Sequence, residues 1–289
     1  MSICYLLIIV KFFRKMRKIS IILYFVLFSL ITNAQRVFHY EYDKLDDAEY
    51  LVTYKHEFKP DSTNNEFVRN SEMLLFIGEN ISKFISQPAY VIDTNMRRIP
   101  TDEMFIEYFN NTNTPIVRVS YEIYKNHPKG KLTYIQHIPS ETYKYEEPLG
   151  SFTWKLSSET KTYMDYNVQK ATCSYGGREW IAWFCPELNF NDGPYKFHGL
   201  PGLIVQIYDT RHHYNFDLSS INKLEPSIAI EIKRKEYINT TKSGLHKAED
   251  NFRDDIINRA KSAGLSNTSQ QAAAKSLSIK NNPLELLRK

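Results

Sequence analysis

The sequence predicts a mainly β protein: a single curved antiparallel sheet, or a half-open barrel, with one or two helices packed on it. Three observations lead there. Apolar and polar residues alternate with a period of two along much of the chain. Aromatic residues are abundant, with 20 Tyr and 17 Phe against 10 Gly, and such residues suit packed pleated surfaces. Short strand-like runs recur about every 8–12 residues without a strand–helix rhythm, which excludes a parallel nucleotide-binding sheet.

The amino end stands apart. Residues 1–35 hold Lys11, Arg14, Lys15, Arg17 and Lys18 and no acid. An apolar run, Ile19 to Ile31, follows, broken only by Ser20 and Ser29, and Thr32-Asn33-Ala34 closes it with small residues where a signal peptidase reads. A basic start, a short apolar stretch and a small-x-Ala exit form an export signal. The run is shorter than the roughly 20 apolar residues a spanning helix needs. Residues 1–34 are therefore expected to be a cleaved signal, an uncleaved anchor being the alternative, with Met16 the more ordinary start, and no cysteine follows to carry a lipid. Without that segment, 32 basic residues face 33 acidic ones, a net −1, so no global charge argues for nucleic acid. Neither nucleic-acid binding nor residence in the membrane after signal cleavage is expected.

Beyond it, Val37–Tyr42 and Tyr50–Phe58 read as half-buried strands, separated from the next by the turn cluster Pro60 to Asn65. Further strand patterns cover Glu72–Ile77, Tyr90–Ile92, Ile116–Tyr124, Lys131–Ile138, Lys161–Tyr166, Gln169–Tyr175 and Glu179–Phe184. Leu203–Tyr208, Tyr214–Leu218 and Ile228–Tyr237 complete them. Thr101 followed by Asp102 and Glu103 is a helix start, since the hydroxyl caps and the acids meet the positive helix end. Lys247–Ser262 spaces Phe252, Ile256, Ile257 and Ala260 for a helix ended by Gly264. Residues 35–264 are thus read as one β-rich domain and 265–289 as a polar tail.

Gly176-Gly177 is a two-residue hairpin turn, because both centres of such a turn need positive φ. That register sets Cys173 opposite Trp180 and leaves Cys173 and Cys185 about 17 Å apart, at ~3.4 Å per residue. A disulfide needs Cα atoms within about 7 Å, so hairpin and disulfide compete, with two buried thiols or a functional thiol as the alternatives. The next dense stretch runs Asp192-Gly193-Pro194-Tyr195-Lys196-Phe197-His198-Gly199-Leu200-Pro201-Gly202-Leu203-Ile204. Asp192-Gly193-Pro194 reads as one turn, and Pro201-Gly202 as the centre of a type II turn. Gly199 suggests a close backbone approach, and Leu203–Tyr208 leaves as a central strand apolar on both faces.

The Phe197–Ile204 stretch, with Asp192–Lys196 before it, resembles the signature of the GLPGLI family of secreted envelope proteins from Gram-negative bacteria. Ile77–Phe84, Gln169–Thr172, Gly177-Arg178 with Ala182–Phe184, and Asn281–Leu286 are similar to the same family. The resemblance implies export and a β-rich fold and carries no catalytic residues; where its pattern often has cysteine, this chain has Val168.

Candidate binding residues cluster in the same region. Trp180 and Trp183 would form an aromatic platform, or else pack in the core and at an edge. Arg178, Asp192, Lys196 and His198 are further candidates near the turn; Arg178, Glu179, Asp192 and Lys196 supply acids and bases there, or else form an ion-paired surface. His198, His212 and His213 could meet over a metal, but no metal-binding spacing, nucleophile elbow or phosphate loop accompanies them, so neither metal nor cofactor is expected. The preferred expectation is a non-enzymatic envelope protein that binds a lipid, lipoprotein or peptide, or a protein partner, at a mouth near Gly193–Gly202. An enzyme with Asp192, His198 and Arg178 converging, and an accessory subunit of an outer-membrane assembly, are the rivals. A deep apolar groove would favour the carrier, a small polar pocket with titratable groups the enzyme, a flat aromatic patch the subunit.

Overall fold

In the computed structural model, residues 40–150, 152–255 and 281–287 are described. The predicted signal, residues Val37 to His39, the polar tail from Asn267 to Lys275, and Gly264 lie outside them. The chain divides into a unit of Tyr40–Asp93 with Pro115–Lys289 and a smaller one that includes Thr94–Thr114.

The larger unit is one open, curved sheet of twelve strands. In chain order they are β1 (Glu41–Phe58), β2 (Arg69–Gly78), β3 (Ser82–Ser86), β4 (Tyr121–Lys125), β5 (Lys131–Ile138) and β6 (Glu141–Pro148). β7 (Lys155–Tyr163), β8 (Tyr166–Tyr175), β9 (Arg178–Cys185), β10 (Leu203–Asp209), β11 (Tyr214–Arg234) and β12 (Ile238–Asn239) follow. Across the sheet they run β12-β6-β5-β4-β3-β2-β1-β11-β10-β9-β8-β7. All neighbours are antiparallel except β12 and β6, which meet in parallel over two residues.

Alternation builds two cores. Met73, Leu75 and Ile77 of β2 join the larger one, with Tyr54, Phe84, Trp180, Phe197 and Phe216. Leu74 and Phe76, on the opposite side of the same strand, join Ala48, Ile85, Tyr124, Ile135 and Ile230. Strands β1 and β11 pair from Glu41↔Arg234 to Phe58↔Tyr214, with three register shifts that bend the ribbon. One bend brings the Asp46 carboxylate onto the Asn80 and Ile81 amides at 2.8 and 2.9 Å.

Helix α1 (Gln87–Met96) replaces the strand predicted over Tyr90–Ile92. Pro88 stands in its first turn, where the missing N–H costs nothing, and Tyr90 packs on Phe76 at 5.0 Å. In the smaller unit, α2 (Asp102–Asn110) starts as predicted, with Thr101 accepting from the Met104 amide at 3.3 Å. The strand expected from Ile116 starts only at Tyr121, where its pairing with β5 begins. Strand β6 was not anticipated, although Tyr143 and Tyr145 alternate with charged residues along it. The late helix starts earlier than predicted: α3 spans Lys242–Asp254, Thr241 caps it, and Leu245, Ala248 and Phe252 face the larger core. Its predicted continuation, Ile256–Ser262, is outside the described residues.

The β8–β9 hairpin has the predicted register, Cys173↔Trp180 included, with Gly176 and Gly177 at φ +61° and +78°. The hairpin wins over the disulfide: Cys173 and Cys185 are separate buried thiols, and burial pushes Cys173 up to about 12. β10 is central, between β9 and β11, with Leu203, Ile204 and Val205 fully buried.

One core group makes the fold acid-sensitive. His56 is buried and stacked on Phe216, ring centroids 4.0 Å apart, and burial lowers its pKa to about 4 although Nδ1 bonds the Asn215 carbonyl. The unfolded chain therefore binds a proton near pH 6.5 that the folded chain refuses until about pH 4. This contribution, on the order of 3 kcal/mol, is complete above pH 6.5 and is lost as pH falls toward 4. Urea unfolding across that window should show the loss, and His56→Phe should flatten it; an unchanged pH slope in that variant would refute the assignment.

Candidate functional site

Residues 186–202 connect β9 to β10, and the latter part, from Asn191 to Gly202, is shaped by its glycines. The turn closes at Pro194, whose carbonyl accepts the Phe197 amide at 3.1 Å, two residues later than the predicted Asp192–Pro194 turn. Tyr195, at φ +55°, takes its centre. The expected type II turn at Pro201-Gly202 is absent. Gly202 bonds back to Leu200 at 2.8 Å, and the Leu203 amide goes instead to the Leu188 carbonyl at 2.9 Å. Gly202 is needed for close approach, since an added Cβ would stand 2.1 Å from the Cys185 carbonyl oxygen. Gly199 is not: nothing lies within 4 Å of its would-be Cβ, and only its φ of +87° calls for glycine. At Gly193 an added Cβ would stand 2.8 Å from the Ile204 Cβ, so that position too is tight.

Two buried lysines hold this loop. Lys125 of β4 reaches the Asp192 carboxylate, the Gly193 carbonyl at 2.6 Å and the Phe197 carbonyl at 3.2 Å. Asp192 is thereby a structural anchor. Lys196, 2 % exposed, spends its three N–H groups on Glu147 at 2.7 Å, Glu285 at 2.9 Å and the Tyr145 hydroxyl at 2.9 Å. Burial works against that ammonium, but Glu285 and Glu147 outweigh it and hold its pKa above the ordinary lysine range. Glu285 is buried too, yet Lys196 and Lys242 lower it to about 2. Tyr195 and Tyr175 donate to the same Glu285 oxygen at 2.5 and 3.0 Å, while its other oxygen faces Lys242.

Arg178, also buried, forms the second node. It bonds Asp209 at 3.0 Å and His213 Nδ1 at 3.4 Å through Nη1, and its other donors go to the Leu284 carbonyl at 2.9 Å, Asn282 Oδ1 at 2.6 Å and the Pro283 carbonyl at 2.7 Å. Asp209 takes the His213 and Tyr214 amides on its other oxygen at 2.7 and 2.8 Å. Neither tryptophan is a platform. Trp180 is 1 % exposed and donates to the Tyr175 carbonyl; Trp183 is 5 % exposed and lies beneath the Lys161 ammonium, 4.2 Å from its ring centroid. His212 stacks on Tyr208 at a turn, apart from His198, and among the described residues no cluster of His, Cys, Asp or Glu is placed to hold a metal.

What remains is a cavity of about 330 Å³ beside the loop. Phe152, Tyr175 and His198 supply its rings, Glu147, Lys196 and Lys242 its charges, and Thr153 and Ser174 its hydroxyls. His198 is fixed by its Nδ1 contact to the Lys196 carbonyl at 2.8 Å, its own carbonyl accepts the Trp154 indole at 2.9 Å, and burial lowers its pKa. Of the predicted binding residues only Lys196 and His198 line this cavity. Glu147, Lys242 and Glu285 were missed. Their signal was indirect: a tyrosine-rich strand ending in Glu146-Glu147, and the Asn281–Leu286 segment already singled out. A wider, open depression lies along Glu103, Ile106, Glu107, Asn110 and Asn111 of α2 and its end, and it offers no converging groups.

A family model described as a protein of unknown function, Porph_ging, matches residues 176–206, from the hairpin turn through the loop into β10. No curated protein matches the chain. Two crystal structures of PNGF-II are similar at 14% identity, with TM-scores of 0.46 and 0.42, over 68% and 66% of this chain. The match spans 32% and 30% of the PNGF-II chain, about a third of its length.

Proposed function

We propose that this is an exported cell-envelope protein that binds a small zwitterionic ligand, an amino acid or the end of a peptide, without transforming it. The cavity carries the reading. Its charged groups of both signs are the best exposed of the buried network: the Lys242 side chain is 21% and the Glu147 side chain 27% exposed. A ligand carboxylate would meet Lys242 and a ligand ammonium Glu147, with its body against Phe152 and Tyr175. At about 330 Å³ the cavity sits at the small end of ligand sites, and its mixed lining suits a polar ligand better than a lipid. Lys196 is held protonated and Glu285 ionised at neutral pH, which supports binding over acid–base catalysis, since a catalytic acid or base works best near the operating pH. Export rests on the pattern of residues 1–34 and on the likeness to GLPGLI proteins.

Calorimetry of the full chain with dipeptides tests this reading. Glu147→Gln should weaken dipeptide binding about tenfold or more, the worth of a charge-assisted hydrogen bond, while Glu285 and Tyr145 still hold Lys196 and the chain folds with a melting temperature only a few degrees lower. Undiminished dipeptide binding in that variant, or tighter binding of fatty acids than of dipeptides by the native chain, would overturn it.

A further inference from the structure

Residues Asn281 to Leu287 run across the larger unit as a strap, with Leu284 against the larger core and polar contacts along the rest. Asn281 accepts from the Ser62 amide and hydroxyl at 2.9 and 2.8 Å. Asn282 gives its amides to the Pro60 and Lys59 carbonyls at 3.1 and 2.7 Å and accepts from Tyr214 at 2.5 Å. Arg178 reads Asn282, Pro283 and Leu284, and Lys196 with Lys242 reads Glu285. The Gly176 carbonyl then takes the Leu286 and Leu287 amides at 2.6 and 3.2 Å. Proline fits where it stands, because the strap uses that residue's carbonyl and needs no N–H from it.

The seat has its own scaffold. Asp209 holds Arg178, Glu147 and Tyr145 hold Lys196, and the two-glycine turn presents Gly176, all from residues outside the strap. An empty seat would leave the Nε and Nη2 donors of Arg178, the Lys242 ammonium and three main-chain carbonyls without the partners the strap supplies. Such groups favour an extended segment bearing an asparagine and, three residues on, a carboxylate. Twenty-five residues separate Asp255 from Asn281, a contour of up to ~80 Å, enough to reach a neighbouring molecule. We propose that the seat around Arg178, Lys196 and Gly176 is a peptide-binding site, that Asn281–Leu287 is its tethered ligand, and that the same segment of a second copy of this chain can take its place.

The inference does not rest on the cavity's small ligand, because the assay reads the strap. A full chain carrying Asn282→Ala and Glu285→Gln has a weakened strap and an intact seat. Titrated with a labelled synthetic peptide of residues 281–289, it should bind in the micromolar range. The native chain, whose tethered strap competes at an effective concentration near millimolar, should bind about 100-fold or more weakly. A peptide with glutamine in place of Glu285 should lose about tenfold. A folded variant that ignores the peptide overturns the proposal, as does equal binding by the glutamine peptide. If that variant does not fold, native chain with millimolar isotope-labelled peptide decides: amide exchange at Leu286 and Leu287 should rise, and unchanged exchange overturns the proposal.

Discussion

Gly202→Ala should destabilise the chain by about 3 kcal/mol or more, enough to threaten folding at physiological temperature. The added methyl would stand 2.1 Å from the Cys185 carbonyl oxygen, 2.6 Å from its carbon and 2.9 Å from Pro186 Cα, all backbone atoms of the end of β9. None of these can swing aside as a side chain does. The residue also sits at φ +145°, where a side chain is strained whatever the space. Gly199→Ala is the control. It carries the same kind of strain, at φ +87°, but meets nothing within 4 Å, so it should lose only about 1–2 kcal/mol. Urea denaturation of both variants separates the two causes; equal losses would mean that close approach is not what fixes glycine at position 202.

Arg178→Met should be nearly as damaging, with a loss of about 3–5 kcal/mol and a drop in melting temperature of about 10 °C. Methionine fills the volume but leaves the Asp209 carboxylate buried without its partner. It also strips the strap of its bonds to Asn282, Pro283 and Leu284. Arg178→Lys keeps the charge and loses the planar fork, so it should fall between native and methionine. Thermal melts with limited proteolysis of the strap would check both effects. A methionine variant that melts within a degree or so of the native chain would show that Asp209 does not depend on Arg178.

Much of the sheet was legible because its signals are local. The Gly176-Gly177 pair set the β8–β9 register, and the doubly apolar Leu203–Tyr208 run marked a central strand. Where tertiary contacts decide, the reading failed. Tyr90–Ile92 has strand-like residues, yet Pro88 and the Phe76 surface favour a helix. Trp180 and Trp183 look like exposed rings beside a glycine turn, and burial under Phe197 and Lys161 depends on chain segments far away. The site was harder still. Nothing near Lys196 in sequence says that it is buried, because Glu147, Tyr145 and Glu285 reach it from two other parts of the chain. The same holds for Lys125, whose role depends on a loop almost seventy positions later. Glycine and proline punctuate locally; ion pairs buried across the fold do not.

The strap sets an order of events in the making of the molecule. Ribosomes build from the amino end, so Gly176, Arg178 and Lys196 are in place before Asn282 and Glu285 have been added. Through that interval Asp209 and Glu147 can already pair with Arg178 and Lys196, but the donors that face Asn282, Pro283, Leu284 and Glu285 still lack those partners. The last latch of this structure therefore shuts only when position 285 arrives.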